Sequence, residues 1–218
     1  MRISPIHEEL RTVATSWTEM RSMRVVDRVT GHDVLTASIL AIADVSCLHR
    51  AGIKGPRART WLHTLDVPVP ERPNTWLWLD GGGVVCRLGR DELLIEDGPA
   101  DRVAESVREA VLVSGVYPVM RQDAAFVLMG SEVNELLSQT CSIDFQSLTK
   151  EVAPLVITSM AGVSVTIVPV LQNEVPFYRV WCDGTYGVYL WRTLRAIACE
   201  LGGGAVGIDV VLPLLKAP

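Results

Sequence analysis

The sequence lacks any uninterrupted apolar run of the roughly 20 residues that a bilayer-spanning helix requires. It also lacks a basic tract: 20 Lys and Arg stand against 25 Asp and Glu, the net charge is −5, and the isoelectric point is near 5.4. A nucleic-acid ligand is therefore not expected. The five cysteines (Cys47, Cys86, Cys141, Cys182 and Cys199) are scattered and odd in number, with no CxxC pair and no metal-ligand spacing. Free, mostly buried thiols in a reducing cytoplasm fit that pattern. The opening MRISPIHEELR has no apolar core of a secretory signal, so a cytoplasmic location is expected. No dinucleotide or phosphate fingerprint is present. Gly81-Gly82-Gly83 lies between two expected strands and Gly202-Gly203-Gly204 follows an expected helix, so neither has the strand–glycine loop–helix order that aims N–H groups at phosphate. The histidines stand singly, and no metal site is expected.

Apolar residues, in contrast, are plentiful. They make up 49% of the 218 residues against 21% charged, with a mean hydropathy of +0.27. That is enough for a sizeable core, with apolar surface left over for internal burial or a partner.

The chain is organised around residues 43–62, ADVSCLHRAGIKGPRARTWL. Ala51-Gly52-Ile53 reads as a short strand, Gly55-Pro56 as a tight turn, and the residues to Leu62 as a helix. Pro56 suits a first helical turn, and Ala58, Trp61 and Leu62 share one face. Residues 1–42 read as a helical arm, because Ser4-Pro5 marks a helix start and Leu10, Val13 and Trp17 recur at helical spacing. With Met20 and Met23, that arm packs either on the body or on another chain. After the unit, Val67-Pro68-Val69-Pro70 is a stiff connector. Trp76–Leu79 and Val84–Leu88 form a hairpin across the glycines, Glu92–Ile95 is a strand, and a helix follows with Val103, Val107 and Val111 on one face.

The same order then recurs. Gln122–Met129 is a strand, Gly130-Ser131 a turn and Glu132–Gln139 a helix. Ile157–Met160 and Val163–Val170 form a hairpin, Phe177–Trp181 a strand and Val188–Leu201 a helix, and Ala205–Leu215 reads as a final strand. Ile53-Lys54-Gly55-Pro56 aligns with Leu128-Met129-Gly130-Ser131, and Asp97-Gly98 with Asp183-Gly184. The expectation is an α+β fold of two related strand–helix–hairpin–strand–helix units, with antiparallel sheets backed by helices. Its segments are 1–42 (arm), 43–120 (first unit) and 121–218 (second unit).

Candidate chemistry is sparse. Cys47 and His49 share a face of an extended segment, but nothing nearby supplies an oxyanion site. Arg121-Gln122-Asp123 either binds a carboxylate or caps a turn. Trp76 and Trp78 lie on one strand face, where they line a pterin-sized slot, pack inside, or meet a partner.

Several of these residues resemble the folate-binding aminomethyltransferase (glycine-cleavage T-protein) superfamily. They are Asp44-x-Ser46, Gly55-Pro56-x-Ala58, the opening SPIHEELR, AFVLMGSEVNELL, and YRVWCDGTYGVYLWRTLRAIACELGG. The runs LGRDELLI and RQDAAFVLMG and the Tyr189–Leu194 helix resemble the gamma subunit of heterotetrameric sarcosine oxidases, a small relative of that superfamily. The resemblance implies an aminomethyltransferase folate-binding-domain-like fold. Where the superfamily has an acidic pair after its hairpin, this sequence has Cys86-Arg87. Where it has an Arg-Thr-Gly-Tyr-Thr-Gly-Glu segment, this chain has VPVLQNEVPF, with Glu174 its one carboxylate. Losing these groups removes the means to shuttle a proton at a reacting nitrogen.

The expectation is therefore an accessory subunit with no catalytic, cofactor-binding or metal residues of its own. Its larger flavoprotein partners would carry FAD, FMN, NAD and tetrahydrofolate and would oxidise an N-methyl amine. Its interface candidates are Trp17, Met20, Met23, Trp76 and Trp78. The alternative is a standalone folate-binding protein or aminomethyltransferase-like enzyme with Asp44, Asp91 or Asp123 as base.

Overall fold

Two sheets with matching strand order organise the chain. The structure, a computed structural model, describes residues 2–148, 153–172 and 175–215. Helix α1 (His7–Arg11) leads to a hairpin of β1 (Ser16–Met20) and β2 (Met23–Arg28), then to α2 (Asp33–Ile39) and β3 (Ala41–Asp44). Next come β4 (Arg50–Lys54), α3 (Ala58–His63), β5 (Thr75–Trp78), β6 (Val84–Arg87), β7 (Glu92–Glu96) and α4 (Val103–Glu109). The order then recurs as β8 (Tyr117–Val119), β9 (Ala124–Met129), α5 (Val133–Thr140), β10 (Val156–Met160), β11 (Val163–Gln172), β12 (Val175–Cys182) and α6 (Gly187–Glu200). Short β13 (Gly204–Ala205) and α7 (Ile208–Val211) follow.

One sheet runs β5-β6-β7-β4-β8 and the other β10-β11-β12-β9-β3-β13. Strand for strand they correspond, with β3 in the place of β8. The registers agree: Ile53 pairs with Leu93 and Pro118, while Leu128, 75 positions after Ile53, pairs with Tyr178 and Ile42. The α+β expectation and the internal repeat both hold at this level. The sequence gives no hint of one feature: the leading strand of each repeat completes the other repeat's sheet.

That exchange redraws the expected segments 1–42, 43–120 and 121–218. The chain divides into one compact unit of residues 2–47, 122–148 and 157–214, and a second of 48–121 with 153–156 and 215. The former arm belongs to the first unit and is helical only over His7–Arg11 and Asp33–Ile39, with β1 and β2 between them. Arg21 and Ser22 adopt φ of 50° and 58°, a two-residue hairpin turn that pairs Met20 with Met23 and Trp17 with Val26.

Local sequence explains the parts that match. Gly55 and Gly130 take φ of +122° and +117°, and a Cβ there would lie 2.3 Å from the Gly115 carbonyl oxygen and 2.5 Å from that of Ile39. Each glycine lets a strand turn directly into a helix. The α3 face of Ala58, Trp61 and Leu62 is buried against Ile53, Leu93 and Ile95 in the second unit's core. In the first unit α5 buries Val133, Leu136 and Leu137, and α6 buries Leu190, Trp191, Leu194 and Ala198.

Two further expectations are corrected. Val111 does not extend the α4 stripe: the helix ends at Glu109 and Val111 is solvent-exposed. Ala205–Leu215 is not a strand, for after Ala205 the chain turns into α7, and only Gly204 and Ala205 pair, in parallel, with β3.

Candidate functional site

The concentration of buried charge lies in the second unit, at the end of β4 and β7. Arg50 and Glu96 are direct cross-strand partners, and their side chains, 3% and 0% exposed, form an ion pair of 3.1 Å from Nη1 to Oε2. The next residue, buried Asp97, receives the Ala104 N–H at 2.7 Å through Oδ1, which satisfies a donor in the first turn of α4. Asp101 receives the N–H groups of Gly81 (2.8 Å), Gly83 (2.5 Å) and Gly98 (3.1 Å), so one carboxylate clamps the glycine hairpin to the loop before α4. This explains Gly81-Gly82-Gly83 without a phosphate: the N–H groups of Gly81 and Gly83 face the chain's own carboxylate, and that of Gly82 donates to the Leu79 carbonyl at 2.9 Å.

Cys86 and Arg87 stand in β6, and both are buried. The Arg87 guanidinium donates to the carbonyls of Glu71 and Pro70, and to those of Gly89 (3.2 Å) and Arg90 (2.9 Å). Burial lowers its pKa, the neighbouring Arg59 lowers it further, and Asp91 opposes both. This arginine closes two loops. Arg121 likewise pairs with Glu92 at 3.0 Å.

In the first unit the Asp44-x-Ser46 motif shapes the exit from β3. Asp44 Oδ1 accepts from the Ser46 N–H (3.0 Å) and hydroxyl (2.5 Å), and Ser46 Oγ in turn accepts the Ala125 N–H at 3.0 Å. The motif thereby fastens the β3 exit to β9. Arg2 donates to the carbonyls of Cys47 (2.9 Å) and Ser46 (3.2 Å). Asp123 precedes β9, and burial, then Asp123 and Asp183, push the nearby Cys182 thiol up to about 12. Of the three aspartates named from the sequence, Asp44 and Asp123 belong to the first unit and Asp91 to the second, where it lies beside Arg90 at 3.8 Å. Cys47 Sγ sits 3.7 Å from Met20 Sδ. Glu174 lies outside the described residues.

The five interface candidates divide. Met23 and Trp76 are buried in their own units, which takes them off any surface. Trp17 is half-buried, with the Arg24 guanidinium 4.7 Å from its ring centroid and the His7 ring at 5.3 Å. Met20 and Trp78 are also half-buried, Trp78 edge-on to Trp76 at 5.2 Å. Among the described residues no group of three or more His, Cys, Asp or Glu could hold a metal, and no helix is long and apolar enough to cross a membrane. A groove of about 280 Å³ between Asn134, Leu137, Cys141, Asp144 and Phe145 falls below the roughly 300–1,000 Å³ of sites that enclose small molecules.

Sequence reasoning passed over Arg50, Glu96 and buried Arg179. Their signal was a charged residue inside or just after an otherwise apolar strand, which costs several kcal/mol unless it is paired.

No protein-family model and no curated protein sequence matches the chain. Solved structures do. Glycine cleavage system aminomethyltransferase T from Bartonella henselae superposes with a TM-score of 0.70 at 11% identity, over 98% of this chain and 62% of its own length. This chain therefore spans less than two thirds of that enzyme. Heterotetrameric sarcosine oxidase from Corynebacterium sp. U-96, solved with pyrrole 2-carboxylate, superposes with a TM-score of 0.67 at 14% identity, over 93% of this chain and 97% of the matched one. The fold is aminomethyltransferase-like.

Proposed function

We propose that this chain is a non-catalytic, gamma-like accessory subunit of a heterotetrameric sarcosine-oxidase-like flavoenzyme. The observation that carries the reading is one of size: a whole chain of the heterotetramer matches nearly the whole of this one, whereas the aminomethyltransferase extends well beyond it. The chemistry agrees with this. The buried charges that could act in catalysis are engaged internally, Asp101 by three backbone N–H groups, Arg87 by loop carbonyls, and Arg50 and Glu96 by each other. In this reading the larger partners hold FAD, FMN, NAD and tetrahydrofolate. They oxidise an N-methyl amine and pass its one-carbon unit to the folate. This chain contributes folding and assembly of the complex.

The second reading, a standalone folate-binding protein or an aminomethyltransferase-like enzyme with an atypical site, draws on the 98% coverage by aminomethyltransferase T. Gentle purification from the native host separates the two. Stoichiometric co-purification with larger, yellow chains supports the accessory role. A colourless chain that binds tetrahydrofolate tightly by itself supports the second reading.

A further inference from the structure

We infer that the outer edge of β8 is a docking edge for an extended segment of a partner chain, laid parallel to β8 as β13 lies against β3. The inference rests on the accessory-subunit reading for the identity of the partner.

The two sheets supply the argument, because they carry the same edge in two conditions. In the first unit β3 occupies the place that β8 holds in the second, and its outer side is covered. The N–H groups of Gly204 and Val206 donate to the carbonyls of Leu40 (2.9 Å) and Ile42 (3.0 Å), and residues 40–43 are all buried. In the second unit, among the described residues, β8 pairs with β4 alone. The stretch around it exposes five large apolar side chains: Val111 (87%), Leu112, Val113, Tyr117 (54%) and Met120 (82%). Exposed apolar side chains clustered in sequence beside an open strand edge mark an interaction surface.

Register identifies the occupant. Pro118 stands opposite Ile53 as Ile42 stands opposite Leu128, so Pro118 takes the position of Ile42, whose backbone faces outward to β13. Proline has no N–H to donate from that position. Two copies of β8 meeting edge to edge in antiparallel fashion would set Pro118 against Pro118 and lose both central donors. An added parallel strand of the β13 kind instead brings its own N–H groups to acceptors, here the carbonyls of Val116 and Pro118. The edge therefore rejects itself and accepts a donor strand from another chain, a form of strand addition.

The test uses the full chain in its complex. A Tyr117→Lys/Met120→Lys variant alters only exposed side chains and is expected to melt like the wild type. It should carry at least about tenfold less flavin-bearing chain through purification, while Val34→Lys on exposed α2 retains it. In the wild-type complex, a photoreactive benzoylphenylalanine in place of Met120 should crosslink to one extended segment of a larger chain. Full retention of the larger chains by the double variant, or crosslinks only between copies of this chain, overturns the docking edge and leaves the accessory reading standing. Absence of larger chains with the wild type overturns both.

Discussion

Removing one member of the Arg50–Glu96 pair is expected to be among the most damaging single changes in the second unit. Both side chains are almost fully buried and lie 3.1 Å apart on paired strands. Deleting one partner breaks the pair and leaves the other charge less compensated in a low-dielectric interior, which costs about 3–5 kcal/mol. For a chain in the 150–250-residue range each kcal/mol lowers the melting temperature by about 2–4 °C, so Arg50→Met or Glu96→Met should each lose roughly 6–20 °C. The double variant should behave differently. At the same two register positions the other sheet holds Ala125 opposite Trp181, so the architecture already accepts an uncharged pair there. Arg50→Met/Glu96→Met should recover most of the loss, giving a coupling energy of about 2 kcal/mol or more in a double-mutant cycle. Thermal melts followed by circular dichroism, with urea titrations at pH 7, measure all four proteins. Single variants that melt within about 3 °C of the wild type, or a double variant as damaged as the sum of its parents, would refute the reasoning.

Other expectations follow from single positions. Gly130→Ala forces a Cβ to 2.5 Å from the Ile39 carbonyl oxygen at φ +117°, and should cost about 1–3 kcal/mol or more. Gly89→Ala, with nothing within 4 Å and an ordinary φ, should be nearly neutral, and equal melting temperatures for the two would contradict the turn argument. Burial alone would raise the pKa of Asp33, but the N–H groups of Val29, Gly207 and Thr30 and the Thr30 hydroxyl outweigh it and hold the group below its ordinary value. Because the folded pKa is depressed, its contribution is complete above about pH 4 and is lost as pH falls below that. Asp33→Asn should therefore lower the urea midpoint at pH 7 and flatten its decline between pH 4 and 2; an unchanged acid limb would argue against a stabilising role for these hydrogen bonds. Of the five thiols, exposed Cys199 should react quickly with a thiol reagent at pH 8. Half-buried Cys141, its pKa raised by burial, should react more slowly; buried Cys47, Cys86 and Cys182, the last pushed up to about 12, should wait for unfolding, and a fast phase that survives Cys199→Ser/Cys141→Ser would contradict the burial.

Local signals in the sequence were read correctly where one residue forces one geometry. Gly55 and Gly130 announce strand-to-helix turns because no other residue fits their φ beside a carbonyl, and both helices start where they were placed to within a few residues. The hairpins around Gly81-Gly82-Gly83 and Ala161-Gly162 were equally visible. The β1–β2 hairpin was not, because Arg21 and Ser22 take left-handed conformations without glycine or asparagine to flag the turn. The Ala205–Leu215 run is apolar enough for strand or helix, and periodicity does not separate the two over so few residues. Strand exchange was out of reach for a different reason. Whether β3 pairs with β4 or β9 depends on contacts some 80 residues away, as between Ala43 and Val127, and no local propensity encodes that choice. The chemistry followed the same divide. The Asp44-x-Ser46 motif was legible as a motif, while the Arg50–Glu96 pair needed the β4–β7 register to bring its two halves together.

In the proposed role this chain works as part of a larger flavoenzyme. Native mass spectrometry with an absorption spectrum, on protein purified gently from its own host, tests it most directly. The account predicts a hetero-oligomer in which this 23.9 kDa chain accompanies larger chains with flavin absorption. A colourless monomer or homodimer of this chain alone would contradict it.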